Sequence, residues 1–241
     1  MFGCSLLPVV AAGPALPRSY GVWAVRVQTV VLVAAALALG VLPAGPAPAA
    51  DRPVRIVALG DSLTAGLGLP ADAAFPRKLE KALRAKGIAV EVSNAGVSGD
   101  TATGALARLD WSVPEGTDAV IVELGANDML RGIDPHVTRA ALAEIVRRLT
   151  ERRIAVLLAG MRAAPNLGPD YGRDFETIYS ELAARNSLPL YPFFLDGVAA
   201  DAKLNQRDGI HPSAAGVDAI VARILPKAEE LVAQVRSQRT K

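Results

Sequence analysis

From Val54 onward, short apolar runs alternate with longer amphipathic segments, and this alternation restricts the chain to few folds. The runs are Val54–Leu59 (VRIVAL), Ile88–Val92 (IAVEV), Ala119–Leu124 (AVIVEL), Ile154–Ala159 (IAVLLA) and the short Pro189–Tyr191. Near-continuous Val, Ile, Leu and Ala is the pattern of parallel strands covered on both faces. Between them, apolar residues recur at three-to-four spacing near Phe75–Lys86, Thr101–Leu109, Pro135–Arg152, Asp174–Asn186 and Ser213–Val235, which predicts helices. Asp134 before Pro135 and Ser213 after Pro212 are helix-start signals. Strands that alternate with helices require right-handed crossovers. The expectation is a three-layer α/β domain over residues 51–241, with a parallel sheet of about five strands and no internal repeat.

In such sheets ligands gather at the carboxyl ends of the strands, so polar residues are read there. The first run leads into Gly60-Asp61-Ser62-Leu63-Thr64-Ala65-Gly66, a tight turn with Ser62 where a helix begins. A hydroxyl there points out of the sheet near backbone N–H groups that favour negative charge; the plainer reading is that Ser62 only caps the helix. The second leads into Asn94–Thr101 (NAGVSGDT), whose glycines let a backbone N–H approach a ligand. Here Asp100 reads equally as a cap for the following helix. The third ends in ELGAND, where the Asn127 amide suits an oxyanion or simply organises its turn.

The last loop, Asp208-Gly209-Ile210-His211-Pro212, supplies a base. Serine is a poor nucleophile until a base takes its proton, which an oriented imidazole does near neutral pH. Asp208, three residues before His211, is spaced to hold the imidazole tautomer across a tight turn. The other histidine, His136, follows Asp134-Pro135 and reads as a surface residue at a helix start.

The segments GDSLTAG, NAGVSGDT, ELGAND and DGIHP, in this order, resemble the four sequence blocks of the SGNH hydrolases, also called the GDSL family. The resemblance spans Val54 to the final helix and implies a flavodoxin-like fold. It implies Ser62 as nucleophile, His211 as general base and acid, and Asp208 as the residue that orients it. The Ser62 and Gly99 N–H groups and the Asn127 amide would form the oxyanion hole, with Gly96 a turn residue. SGDTATGALARL, VELGANDMLRG and RDGIHP are similar to the periplasmic branch of acyl-CoA thioesterases, arylesterases and lysophospholipases. That branch cleaves acyl esters and thioesters and needs no metal or organic cofactor. The acyl-pocket walls are then expected in residues 129–134 and 161–173, and Arg207 stands where that branch often has an acid.

Residues 1–50 differ from the rest. Arg18 and Arg26 are their only charges, followed by an apolar run from Val27 to Leu42 and by PAGPAPAAD, the parts of a secretory signal. The run is shorter than the about 20 apolar residues of a spanning helix. Residues 1–50 are therefore expected to be a leader, cleaved after Ala49 or Ala50, which makes the product periplasmic or secreted without stable membrane insertion. Cys4 would leave with it, so the mature chain could form no disulfide. The whole chain has 26 Lys+Arg against 24 Asp+Glu, and the two leader arginines account for the whole excess. This balance, with 5% aromatic residues, argues against nucleic acid as a partner. A monomer acting on a small acyl ester or thioester is expected.

Three rivals remain at this point. A carbohydrate O-acetyl esterase would use the same triad with a different pocket. A non-enzymatic flavodoxin-like binding protein would have no reason to place Ser62, Asn127, Asp208 and His211 at separate strand ends. A membrane-anchored protein requires the leader to stay attached.

Overall fold

The structure, a computed structural model, describes residues 52–240. The expected leader, its cleavage sites and Cys4 lie outside the described residues. Five parallel strands, β1 (Val54–Gly60), β2 (Val90–Gly96), β3 (Ala119–Glu123), β4 (Ala155–Ala159) and β5 (Leu190–Tyr191), form one sheet in the order β2-β1-β3-β4-β5. This is the doubly wound flavodoxin-like order, whose crevice opens where the chain reverses direction between β1 and β3. Every residue of β3 and β4 is buried, as expected for central strands with both faces covered.

Eight helices follow in chain order among the described residues: α1 (Ser62–Ala65), α2 (Phe75–Ala85), α3 (Ala102–Ala107), α4 (Leu109–Ser112), α5 (Ala126–Leu130), α6 (Pro135–Glu151), α7 (Pro169–Asn186) and α8 (Ala214–Arg239). Helix α2 packs on α8, whereas α6 packs on α3 and α7, which gives the sheet a helical layer on each face. Phe75 meets Phe194 edge-on with ring centroids 5.0 Å apart, and Phe175 meets Tyr179 at 5.9 Å, a geometry aromatic pairs prefer. Among the described residues, no helix is long and apolar enough to cross a membrane.

The expected Thr101–Leu109 helix is split into α3 and α4, α8 runs on past Val235 to Arg239, and three further boundaries differ from the sequence reading. Strand β2 begins at Val90 rather than Ile88, because Gly87 is left-handed (φ +76°) and the Ile88 N–H turns back to Leu83 O. It continues through Ser93, Asn94 and Ala95 to Gly96, since an edge strand tolerates polar residues on its open side. Gly96 is thus a strand end, not a turn residue, and a Cβ there would lie 2.3 Å from Ala65 N. Helix α7 starts at Pro169 rather than Asp174, with Pro169 in its first turn after Gly168, a position where proline loses no hydrogen bond.

Candidate active site

Strand β1 delivers the first reactive group. Asp61, not Ser62, caps α1: its Oδ1 accepts the Leu63 N–H at 2.9 Å. Ser62 is the first helical residue, and its hydroxyl is free for other work. The turn that leads into Ser62 is tightly packed, since a Cβ on Gly60 would lie 2.1 Å from Thr64 Oγ1.

The Asp208–Pro212 loop brings the other two groups to this hydroxyl. His211 Nε2 lies 2.9 Å from Ser62 Oγ, and His211 Nδ1 lies 2.7 Å from Asp208 Oδ2. An ionised carboxylate only accepts, so Nδ1 carries the hydrogen and Nε2 is left to accept the serine proton. Asp208 Oδ1 meanwhile accepts the N–H groups of Ile210 at 2.9 Å and His211 at 3.0 Å. The N–H groups of His211 and Ile210, then the imidazole, hold the Asp208 carboxyl down at about 2.

Asn127 lies in the first turn of α5, just beyond β3. Its amide nitrogen donates to Asp61 Oδ2 at 3.1 Å, next to Ser62 in the chain. Gly125 caps this helix at φ +111°, and a Cβ there would lie 2.2 Å from the Tyr179 hydroxyl, which donates to Leu124 O. Gly99 is left-handed (φ +82°), and its carbonyl accepts from Arg131 Nη2 at 2.7 Å. Arg131 thereby ties the Gly99 turn to the end of α5. Asp100 is not the α3 cap; Thr101 takes that place by accepting the Gly104 N–H at 3.1 Å.

Buried acids lie beneath the site. Burial pushes the Asp61 carboxyl up to about 6, against the lowering effect of the Leu63 N–H and the Asn127 amide. Burial, and then the neighbouring Asp61, push Glu123 well above the usual carboxylate range, although it accepts from Thr64 Oγ1 at 2.7 Å. Asp128 accepts the Ala102 N–H and the Thr138 hydroxyl, both at 2.9 Å, so it joins the starts of α3 and α6 to α5.

The sequence reading missed several supports. Gln206 Nε2 donates to Leu67 O at 2.7 Å and Pro212 O at 3.0 Å, clamping the histidine loop to the segment after α1. The buried Arg108 donates to Asp100 at 2.7 Å, Ser112 Oγ at 2.9 Å and Gly60 O at 3.0 Å. Arg207 is exposed in the turn before Asp208, and His136 is exposed at the start of α6, where Asp134 is the cap. Segments 129–134 and 161–173 are joined by the Tyr171 hydroxyl, which donates to Ile133 O at 2.9 Å.

A serine, an imidazole and a carboxylate in line at the switch point of a parallel sheet, with an amide beside them, define a serine hydrolase. The chain belongs to the GDSL-like Lipase/Acylhydrolase family, whose profile matches residues 58–219. It is 37% identical over 178 residues to esterase TesA of Pseudomonas aeruginosa, covering 73% of this chain and 89% of that protein. It is 39% identical over 168 residues to thioesterase 1/protease 1/lysophospholipase L1 of Escherichia coli, covering 69% of this chain and 78% of that one. Among solved structures, the SGNH-hydrolase family esterase AlinE4 is 44% identical with a TM-score of 0.63, covering 74% of this chain and 96% of AlinE4. The protein is therefore a serine hydrolase that acts on ester bonds.

Proposed function

We propose that Ser62 is the nucleophile, that His211 and Asp208 activate it, and that the protein hydrolyses acyl esters and thioesters through an acyl-serine intermediate. The observation that carries this assignment is the unbroken chain from Ser62 Oγ through His211 to Asp208, at 2.9 and 2.7 Å. His211 takes the hydroxyl proton as Ser62 attacks the carbonyl carbon. The Ser62 and Gly99 N–H groups and the Asn127 amide receive the developing oxyanion. His211 then gives that proton to the departing alcohol or thiol, and afterwards removes one from the water that releases the acid.

The acyl class is favoured over an acetylated sugar by what surrounds the site. Leu67, Val97, Leu130 and Ile210 are 45%, 42%, 53% and 47% exposed, and each lies within five residues of Ser62, Gly99, Asn127 or His211 in the chain. Single exposed apolar side chains are ordinary, and Trp111 and Val137 are exposed in other segments, but four of the six among the described residues lie in the segments that carry the site, which suits a hydrocarbon chain. The esterase and thioesterase/lysophospholipase names of the relatives support the same substrates. Residues 1–50 are proposed as an export leader, and the mature domain as a periplasmic or secreted monomer.

The deciding experiment compares p-nitrophenyl esters of increasing chain length, acyl-CoAs and lysophospholipids with acetylated sugars, using wild type and Ser62→Ala. Turnover of the acyl substrates that vanishes in a folded Ser62→Ala protein is expected. Preference for acetylated sugars would overturn the substrate class, and activity retained by Ser62→Ala would overturn the nucleophile.

A further inference from the structure

We infer that Asp61 is a positioning residue that aims the Asn127 amide at the oxyanion, a task that requires both of its carboxylate oxygens. This rests on the proposed role of Asn127 as an oxyanion donor. The Asn127 amide nitrogen carries two hydrogens. One is taken by Asp61 Oδ2 at 3.1 Å, which fixes the plane of the amide and leaves the other hydrogen for the substrate. Asp61 Oδ1 is committed to the Leu63 N–H at 2.9 Å, at the head of the helix that carries Ser62. One side chain thus locks the nucleophile helix to the donor helix across the β1/β3 crevice. It is fully buried, so water does not compete for either bond.

The chemistry separates this role from simple capping. A cap needs one acceptor, which serine or asparagine supplies almost as well as aspartate. Holding Asn127 as well needs a second acceptor, and the side chain must reach both donors. An asparagine at position 61 offers one acceptor and one N–H donor pair. In either flip its NH2 would face the Leu63 N–H or the Asn127 amide, donor against donor. A serine at 61 keeps the cap but is too short to reach Asn127.

The test is a double-mutant cycle with p-nitrophenyl acetate, using wild type, Asp61→Asn, Asn127→Ala and the double variant, with Asp61→Ser as a cap-preserving variant and thermal unfolding recorded for each. Loss of one oxyanion donor typically costs about 10²- to 10³-fold in turnover. Misaiming the donor is expected to lower kcat about 10- to 100-fold in both Asp61 variants, with KM within about 3-fold. In the Asn127→Ala background the Asp61→Asn change should cost under about 3-fold, because the group it positions is gone. Fully additive losses, or an Asp61→Asn enzyme with wild-type kcat while Asn127→Ala is crippled, would overturn the inference alone. An unimpaired Asn127→Ala would overturn the oxyanion reading and the inference with it. If Asp61→Asn does not fold, Asp61→Ser carries the same cycle. In addition, one side-chain amide proton of Asn127, followed by nitrogen-edited NMR, should lie downfield of the usual carboxamide position in wild type because it is bonded to Asp61 Oδ2, and should return toward that position in Asp61→Ser; an unchanged pair contradicts the inference.

Discussion

Replacing Asp208 by Asn tests the catalytic geometry with little disturbance of the loop. Asp208 Oδ1 holds the turn through two backbone N–H groups, and Oδ2 alone faces the imidazole. An asparagine can keep its oxygen on the two N–H groups and present its NH2 to His211 Nδ1. That nitrogen must then accept, which moves the imidazole hydrogen to Nε2, where Ser62 Oγ needs an acceptor. The turn survives while the general base is placed in the wrong tautomer. In a serine protease the corresponding change costs about 10⁴-fold in kcat, and a loss of similar size is expected here. The assay is p-nitrophenyl acetate hydrolysis at neutral pH, beside a thermal melt that should move by only a few degrees. Asp208→Ala should lose the turn bonds as well and melt lower. An Asp208→Asn enzyme within about 10-fold of wild type would refute the reasoning, because tautomer control would then not limit the reaction.

Further outcomes follow from other contacts. Gly125→Ala would need a non-glycine residue at φ +111° against the Tyr179 hydroxyl; it should lose about 1–3 kcal/mol from backbone strain alone, read by denaturant unfolding, and should lower kcat by displacing Asn127. Arg108→Met leaves Asp100 without its ion-pair partner and removes a donor from Gly60 O, and should destabilise by about 3 kcal/mol, the usual cost of removing one partner of a buried ion pair, measured the same way. Asp61 and Asp208 give opposite acid responses. The Asp61 proton, held at about 6 in the fold, makes a contribution to the native state that is complete below the ordinary carboxylate value and is lost as pH rises from there through about 6. Asp208, held at about 2, favours the native state above the ordinary carboxylate value and loses this contribution as pH falls through about 2. Melting temperature against pH should therefore lose the Asp61-linked slope in Asp61→Ser and the more acid one in Asp208→Ala. Finally, Leu130→Arg and Ile210→Asp should reduce turnover of longer-chain p-nitrophenyl esters more than that of the acetate; equal losses across chain length would argue against an acyl surface there.

What was legible in the sequence depended on short range and strong pattern. The central strands are apolar runs, broken only by Glu123 at the end of β3, because both faces are covered, so β3 and β4 are legible to within a residue or so. Ser62 and Asn127 stand out because reactive polar groups sit directly after such runs, whereas Asp208 and His211 stand out as a close pair in the loop before the final helix. The supports that hold them were hidden, because their partners are distant in sequence. Nothing local shows that Gln206 reaches Leu67, or that Arg108 bonds to Gly60. Asp61 was passed over beside a more conspicuous serine, although an aspartate opening a helix is itself a cap signal. The start of α7 was missed because Gly168, Pro169 and Gly172 read locally as loop, whereas Phe175, packed against Tyr171 and Tyr179, anchors the helix. The end of β2 was missed because its polar residues are permitted only by its place at the sheet edge.

Ser62 is proposed to form the covalent intermediate under the control of His211. Incubation with a p-nitrophenyl phosphonate, followed by intact-mass and peptide-mapping mass spectrometry, tests it most directly. One adduct per chain is expected, on the peptide carrying Ser62, absent in Ser62→Ala and formed far more slowly in His211→Ala. Label on another residue, or full labelling of a folded Ser62→Ala protein, would contradict it.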